Sequence, residues 1–157
     1  MKSIIVFYSF DGNTKFLAQE MAQEIGADLS EIKPENEFKS HGFTKYLWGV
    51  KQIVMNQKPK LLPIEKNLND YDLIIIGCPV WASTFAPPLK TFFSEVKIKG
   101  KKIALFCSCE KSQGNTINNM KKELSGNEFV AEMVFSSPLK SKNENSNFAK
   151  DFVKKLI

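Results

Sequence analysis

Short apolar runs alternate with segments whose apolar residues recur at helical spacing along most of this chain. Ser3–Tyr8 is a continuous apolar run and reads as a strand. From Asn13 to Ile25, Leu17, Ala18, Met21, Ala22 and Ile25 mark one face of a helix. Ala27–Ile32 alternates as an edge strand does and ends near Pro34. Asp72–Cys78 carries Leu73, Ile74, Ile75 and Ile76, the pattern of a strand covered on both faces. Pro87, Pro88, Leu89, Phe92, Phe93 and Val96 read as a helix with proline in its first turn. Lys102–Cys107 is another apolar strand. Ile117, Met120 and Leu124 mark the next helix, which Gly126 stops. Phe129–Phe135 is the fifth strand, and Phe148, Ala149, Phe152, Val153 and Leu156 form the stripe of a last helix.

This alternation implies an α/β fold, a doubly wound three-layer sandwich with a five-stranded parallel sheet of order 2-1-3-4-5. The irregular part is Glu35 to Asp70. One amphipathic helix is expected there, around Tyr46, Leu47, Val50, Ile53 and Val54, with Trp48 as a packing residue. The chain has 157 residues, which fits a single domain over 1–157.

In that strand order, ligands bind beyond the carboxyl ends of strands one and three, where the winding reverses. Three loops converge at this point. The first is Ser9-Phe10-Asp11-Gly12-Asn13-Thr14, between a strand and a helix start. A helix start offers free N–H groups and a positive dipole end, and so suits a phosphate. Ser9 and Thr14 add hydroxyls and Asn13 an amide, while Gly12 lets the backbone take a positive φ. The bland alternative is an ordinary helix cap. The loop has neither the Walker spacing nor the G-x-G-x-x-G dinucleotide spacing. The second loop runs Cys78-Pro79-Val80-Trp81-Ala82-Ser83-Thr84 to Pro88, and the third Ser108-Cys109-Glu110-Lys111-Ser112-Gln113-Gly114-Asn115-Thr116. A phosphate cradle, an aromatic platform and a polar loop together fit a planar, phosphorylated aromatic ligand.

Ser-x-x-Gly-Asn-Thr, then Gly77-Cys78-Pro79-Val80-Trp81-Ala82, then Pro87-Pro88-Leu89-Lys90-Thr91-Phe92, resembles the signature of the flavodoxin family, at the family's spacing over nearly the whole chain. It is closest to the short flavodoxin-like proteins. The resemblance implies noncovalent flavin mononucleotide (FMN) and one- or two-electron redox chemistry. It assigns Ser9, Phe10, Asp11, Gly12, Asn13 and Thr14 to the phosphate. It places Pro79, Val80, Trp81, Ala82, Ser83 and Thr84 beside the flavin ring, and Ser108, Cys109, Glu110, Lys111, Gln113, Gly114 and Asn115 in the second ring loop. It names no catalytic residue.

Charge changes this picture. Net charge is +5, whereas electron-carrying flavodoxins are usually acidic. Three readings stay open. One is an electron-transfer protein serving a redox partner protein or small electron acceptor. Another is an NAD(P)H-dependent FMN quinone or flavin reductase, with NAD(P)H as a further ligand. The last is a flavin-binding regulatory module without turnover. All the basic residues are lysines, scattered along the chain, so arginine clamps and a nucleic-acid patch are not expected. Lys15 and Lys111 flank two of the loops and are candidates for tuning a flavin's potential.

Cys78, Cys107 and Cys109 are odd in number and argue against a disulfide framework. Cys109 reads as a small packing residue or as a redox-active thiol near the ligand. With the single histidine His41, read as an exposed loop residue, no metal site is expected. No apolar run approaches the about 20 residues of a membrane span. The chain opens Met-Lys-Ser directly before a strand, and a cytoplasmic location is expected.

Overall fold

The computed structural model describes residues 1–36, 51 and 57–157. The expected helix around Tyr46 to Val54, Trp48 and His41 fall outside these residues.

Among the described residues, the chain runs β1 (Ser3–Phe7), α1 (Asn13–Ile25), β2 (Asp28–Glu31), a 3-10 turn (Leu68–Asp70), β3 (Leu73–Trp81), β4 (Thr84–Phe85), α2 (Pro87–Glu95), β5 (Lys102–Cys109), α3 (Thr116–Glu123), β6 (Glu128–Ser136) and α4 (Lys142–Lys154). Five strands form the parallel order β2-β1-β3-β5-β6, and short β4 pairs antiparallel with β3. The parallel order is the one expected; β4 is an addition.

Alternation along the central strands sends side chains to two cores. Ile4, Val6, Ile74, Ile76, Ile103 and Leu105 face α2 and α3, meeting Leu89, Phe92, Ile117 and Met120. Ile5, Phe7, Leu73, Ile75, Ala104 and Phe106 face α1 and α4, meeting Leu17, Met21, Phe152 and Val153. These strands are apolar throughout because both faces are covered. Each fully buried aliphatic side chain contributes about 1.5–3 kcal/mol. α1 and α4 are also tied by Ser146–Glu20, Lys150–Glu20 (3.1 Å) and Lys154–Glu24 (3.1 Å). The hydroxyl of Ser146, then Lys150, holds the Glu20 carboxyl below its ordinary pKa.

Several expected boundaries move. Tyr8 lies one residue beyond β1, although its N–H still reaches the Gly77 carbonyl at 3.1 Å. β3 continues through Pro79, Val80 and Trp81, and β5 through Ser108 and Cys109, so these five residues are strand rather than loop. Phe148 points outward at 47% exposure, and buried Asn145 extends the inner face of α4 instead. Asn145 satisfies its amide on the carbonyl of Ser141 at 3.0 Å.

Candidate functional site

The cleft lies beyond the carboxyl ends of β1, β3, β5 and β6. It has a volume of about 220 Å³ and is lined by Asp11, Asn13, Pro79, Val80, Trp81, Ser108, Cys109, Glu110, Ser137, Pro138, Leu139 and Lys140. Eight of these residues were expected from the sequence. Ser137 to Lys140, the segment after β6, was not.

At the first loop the chain turns at Gly12, φ 92°, and α1 begins without a side-chain cap from that residue. The Asp11 carboxylate accepts the Asn13 N–H at 3.1 Å, and the Ser9 hydroxyl accepts the Lys15 N–H at 3.1 Å. The Ser9 hydroxyl proton is therefore still available for donation. Thr14 departs from expectation. It is fully buried, with its hydroxyl 2.9 Å from that of Ser108, and it links the loop to β5 from beneath. The Asn13 side chain also serves the scaffold, since its Oδ1 accepts the Leu139 N–H at 3.0 Å.

The expected second loop is a hairpin. Val80 pairs with Phe85 and Trp81 with Thr84 across a two-residue turn, Ala82-Ser83, with φ 46° and 62°. Successive positive φ values match the twist of a hairpin, though alanine and serine adopt them at a cost. The third loop holds this turn. Asn115 N–H donates to the Ser83 carbonyl at 2.9 Å, and the Asn119 amide donates to the Thr84 hydroxyl at 3.0 Å. At Gly114, φ 53°, a Cβ would lie 2.4 Å from that of Ser83, so only glycine permits the two backbones to meet. Gly114 and Asn115 thus brace the hairpin, and neither they nor Gln113, Ala82, Ser83 and Thr84 line the cleft. Lys111 is exposed and outside the cleft lining.

Trp81 is half-buried, with its ring edge-on to Phe10 (5.2 Å) and Tyr8 (5.9 Å). Phe10 therefore supports the indole from behind. The segment after β6 closes the other side. Ser137 N–H donates to the Cys109 carbonyl at 2.8 Å, and Lys140 pairs with Glu110 at 3.5 Å. Among the described residues its lysine, not Lys15 or Lys111, lines the cleft; Lys15 pairs with Glu31 at 3.1 Å. The sequence signal for this segment was available: Ser136 ends a strand parallel to the other four, so the residues after it emerge at the same end of the sheet.

Cys78 and Cys107 are buried in the core facing α2 and α3, and Cys109 lines the cleft. Burial raises Cys78 well above the ordinary thiol pKa, and raises Cys107 to about 12 with Cys109 adding to it. Burial also raises Cys109, so its thiol stays protonated at neutral pH. Among the described residues, no group of histidine, cysteine or acidic side chains could hold a metal ion. No helix among them is long and apolar enough to cross a membrane.

A family model described as flavodoxin matches residues 2–155. A search of curated proteins gives no match. Among solved structures, the chain is similar to a flavoprotein from Lactobacillus acidophilus NCFM in complex with FMN. That match has 26% identity over 88% of this chain and 96% of that one, with a TM-score of 0.73. It is also similar to two-electron reduced flavodoxin of Megasphaera elsdenii, with 20% identity, 98% and 99% coverage and a TM-score of 0.62. Flavodoxin 2 of Bacillus cereus gives 19% identity, 99% coverage of both chains and a TM-score of 0.58. The last two speak for the fold.

Proposed function

The chain belongs to the flavodoxin family, and from that premise we propose that it holds FMN in this cleft and exchanges electrons through it with a protein or small-molecule partner. The observation that carries the reading is the placement of a helix start and a braced indole in one cleft, at the point where the sheet's winding reverses. The donor set fits the group. The N–H groups at the start of α1 and the Ser9 hydroxyl receive a phosphate, and Pro79, Val80 and Trp81 offer an apolar wall to a ring.

When bound, FMN supplies the one- or two-electron chemistry itself. The chain's part is to bind and orient. Tyr8 and Phe10 fix the Trp81 ring, so that an aromatic ligand meets an ordered wall, a contact of about 0.5–1.5 kcal/mol beyond area burial. The hairpin brace at Gly114 fixes the strand end that carries that ring. Cys109 contributes a small neutral group. Lys140 supplies a positive charge toward the cleft.

A second reading, an NAD(P)H-dependent reductase, is favoured by the net charge of +5. A basic protein steers toward anions such as nicotinamide cofactors or acidic partners. The purified protein is expected to show flavin absorption, and the apoprotein to bind FMN far more tightly than riboflavin. Equal affinity for the two would remove the phosphate assignment. Steady-state NAD(P)H oxidation with a quinone acceptor separates the readings: turnover selects the reductase, and its absence selects the carrier.

A further inference from the structure

The start of α1 is already answered from within the chain. Asp11 lines the cleft, is exposed, and places its carboxylate on the N–H of Asn13. The first turn of α1 contains no acidic residue, so the carboxylate at this helix start comes from the loop leading into it. A helix start favours one anion through its N–H groups and dipole. A second anion entering the same place competes for the Asn13 N–H and is repelled by the first.

We infer that Asp11 is a specificity-determining residue: its carboxylate is an internal anion in the phosphate cradle, which the phosphate of FMN must displace. The inference rests on the FMN reading. It separates two features that otherwise act together. The backbone of the loop attracts any phosphate, and the charge of Asp11 subtracts from that attraction. Riboflavin, lacking a phosphate, does not contend with Asp11. The present side chain therefore narrows the gap between the two flavins.

The test is Asp11→Asn in the full chain. Asparagine keeps an Oδ1 that can accept the Asn13 N–H, so the local turn survives and only the charge is removed. Affinities for FMN and riboflavin are measured by quenching of flavin fluorescence in flavin-free protein. Asp11→Asn is expected to bind FMN about tenfold more tightly, equivalent to about 1.4 kcal/mol, with riboflavin unchanged. Asp11→Ser, which also removes the charge, is expected to move the same way and serves if the asparagine variant folds poorly. Inorganic phosphate is expected to compete with FMN more effectively in both variants than in the natural chain. If the natural chain prefers FMN but neither variant tightens FMN binding, the inference is overturned and the FMN reading stands. If the natural chain and both variants all bind the two flavins equally, the phosphate reading falls, and this inference with it.

Discussion

Gly114→Ala tests whether the hairpin beneath the candidate ring site is held by backbone contact. Two costs add. Alanine at φ 53° is strained in any surroundings, and the left-handed region costs about 1–2 kcal/mol. In addition, the new Cβ would lie 2.7 Å from Ser83 Cα, a backbone atom that cannot rotate away. The Ala82-Ser83 turn must retreat, and the 2.9 Å bond from Asn115 N–H to the Ser83 carbonyl lengthens or breaks. Losing that bond costs about 0.5–1.5 kcal/mol. The expected total is about 1.5–3.5 kcal/mol, combining these contributions. Gly26→Ala is the control, since Gly26 has φ 65° but nothing within 4 Å of a Cβ. It is expected to lose only the backbone cost, about 1–2 kcal/mol. Urea unfolding of flavin-free protein gives both values. FMN titration of the folded protein is expected to show weaker binding in Gly114→Ala and no change in Gly26→Ala. Equal destabilisation by the two substitutions would refute the close-approach argument.

Three further outcomes follow from the geometry. Thr14→Val leaves the buried Ser108 hydroxyl without its partner and is expected to cost about 1–3 kcal/mol. Adding Ser108→Ala should recover part of that in a double-mutant cycle, and strict additivity would show that the pair is uncoupled. Tyr71→Phe removes the hydroxyl that donates to Asp28 at 2.6 Å and is the largest cause of that carboxyl's lowered pKa. A lowered native pKa contributes stability above the unfolded-state pKa and loses it as pH falls through the native one. Tyr71→Phe should therefore destabilise at neutral pH and show a shallower loss on acidification; an unchanged acid profile in thermal melts would count against the bond. Lys140→Glu should lower the reduction potential of bound flavin, more at low salt than at high salt, and Lys111→Glu should do much less. A redox titration in which Lys111→Glu has the larger effect would reverse the assignment.

The strand order was legible because parallel strands buried on both faces read as unbroken apolar runs, as in Leu73 to Ile76. The place of the first loop, between a strand and a helix start, was legible from the switch between an apolar run and helical spacing. Roles within it were not. Thr14 carries a hydroxyl suited to a ligand, but whether that hydroxyl faces outward or toward Ser108, 94 residues away, depends on packing. The hairpin escaped because Ala-Ser lacks the Asn-Gly chemistry that announces such turns; it is imposed by Gly114 and Asn115, which lie elsewhere in the chain. The spacing of Phe148 continues the stripe of Ala149 and Phe152, yet polar Asn145 takes the inner position.

The bond from Leu139 N–H to Asn13 Oδ1 joins residues 126 positions apart. During synthesis at about 5–20 residues per second, Asn13 waits roughly 6–25 s before Leu139 exists. The whole wall from Ser137 to Lys140, and α4 against α1, are made last. Cofactor loading is expected to wait for this segment: nascent chains halted before Pro138 are expected to retain no FMN, and retention by such stalled chains would show that the first three loops suffice. A wall contributed by residues so late in the sequence ties the shape of the cleft to the order in which its parts are made.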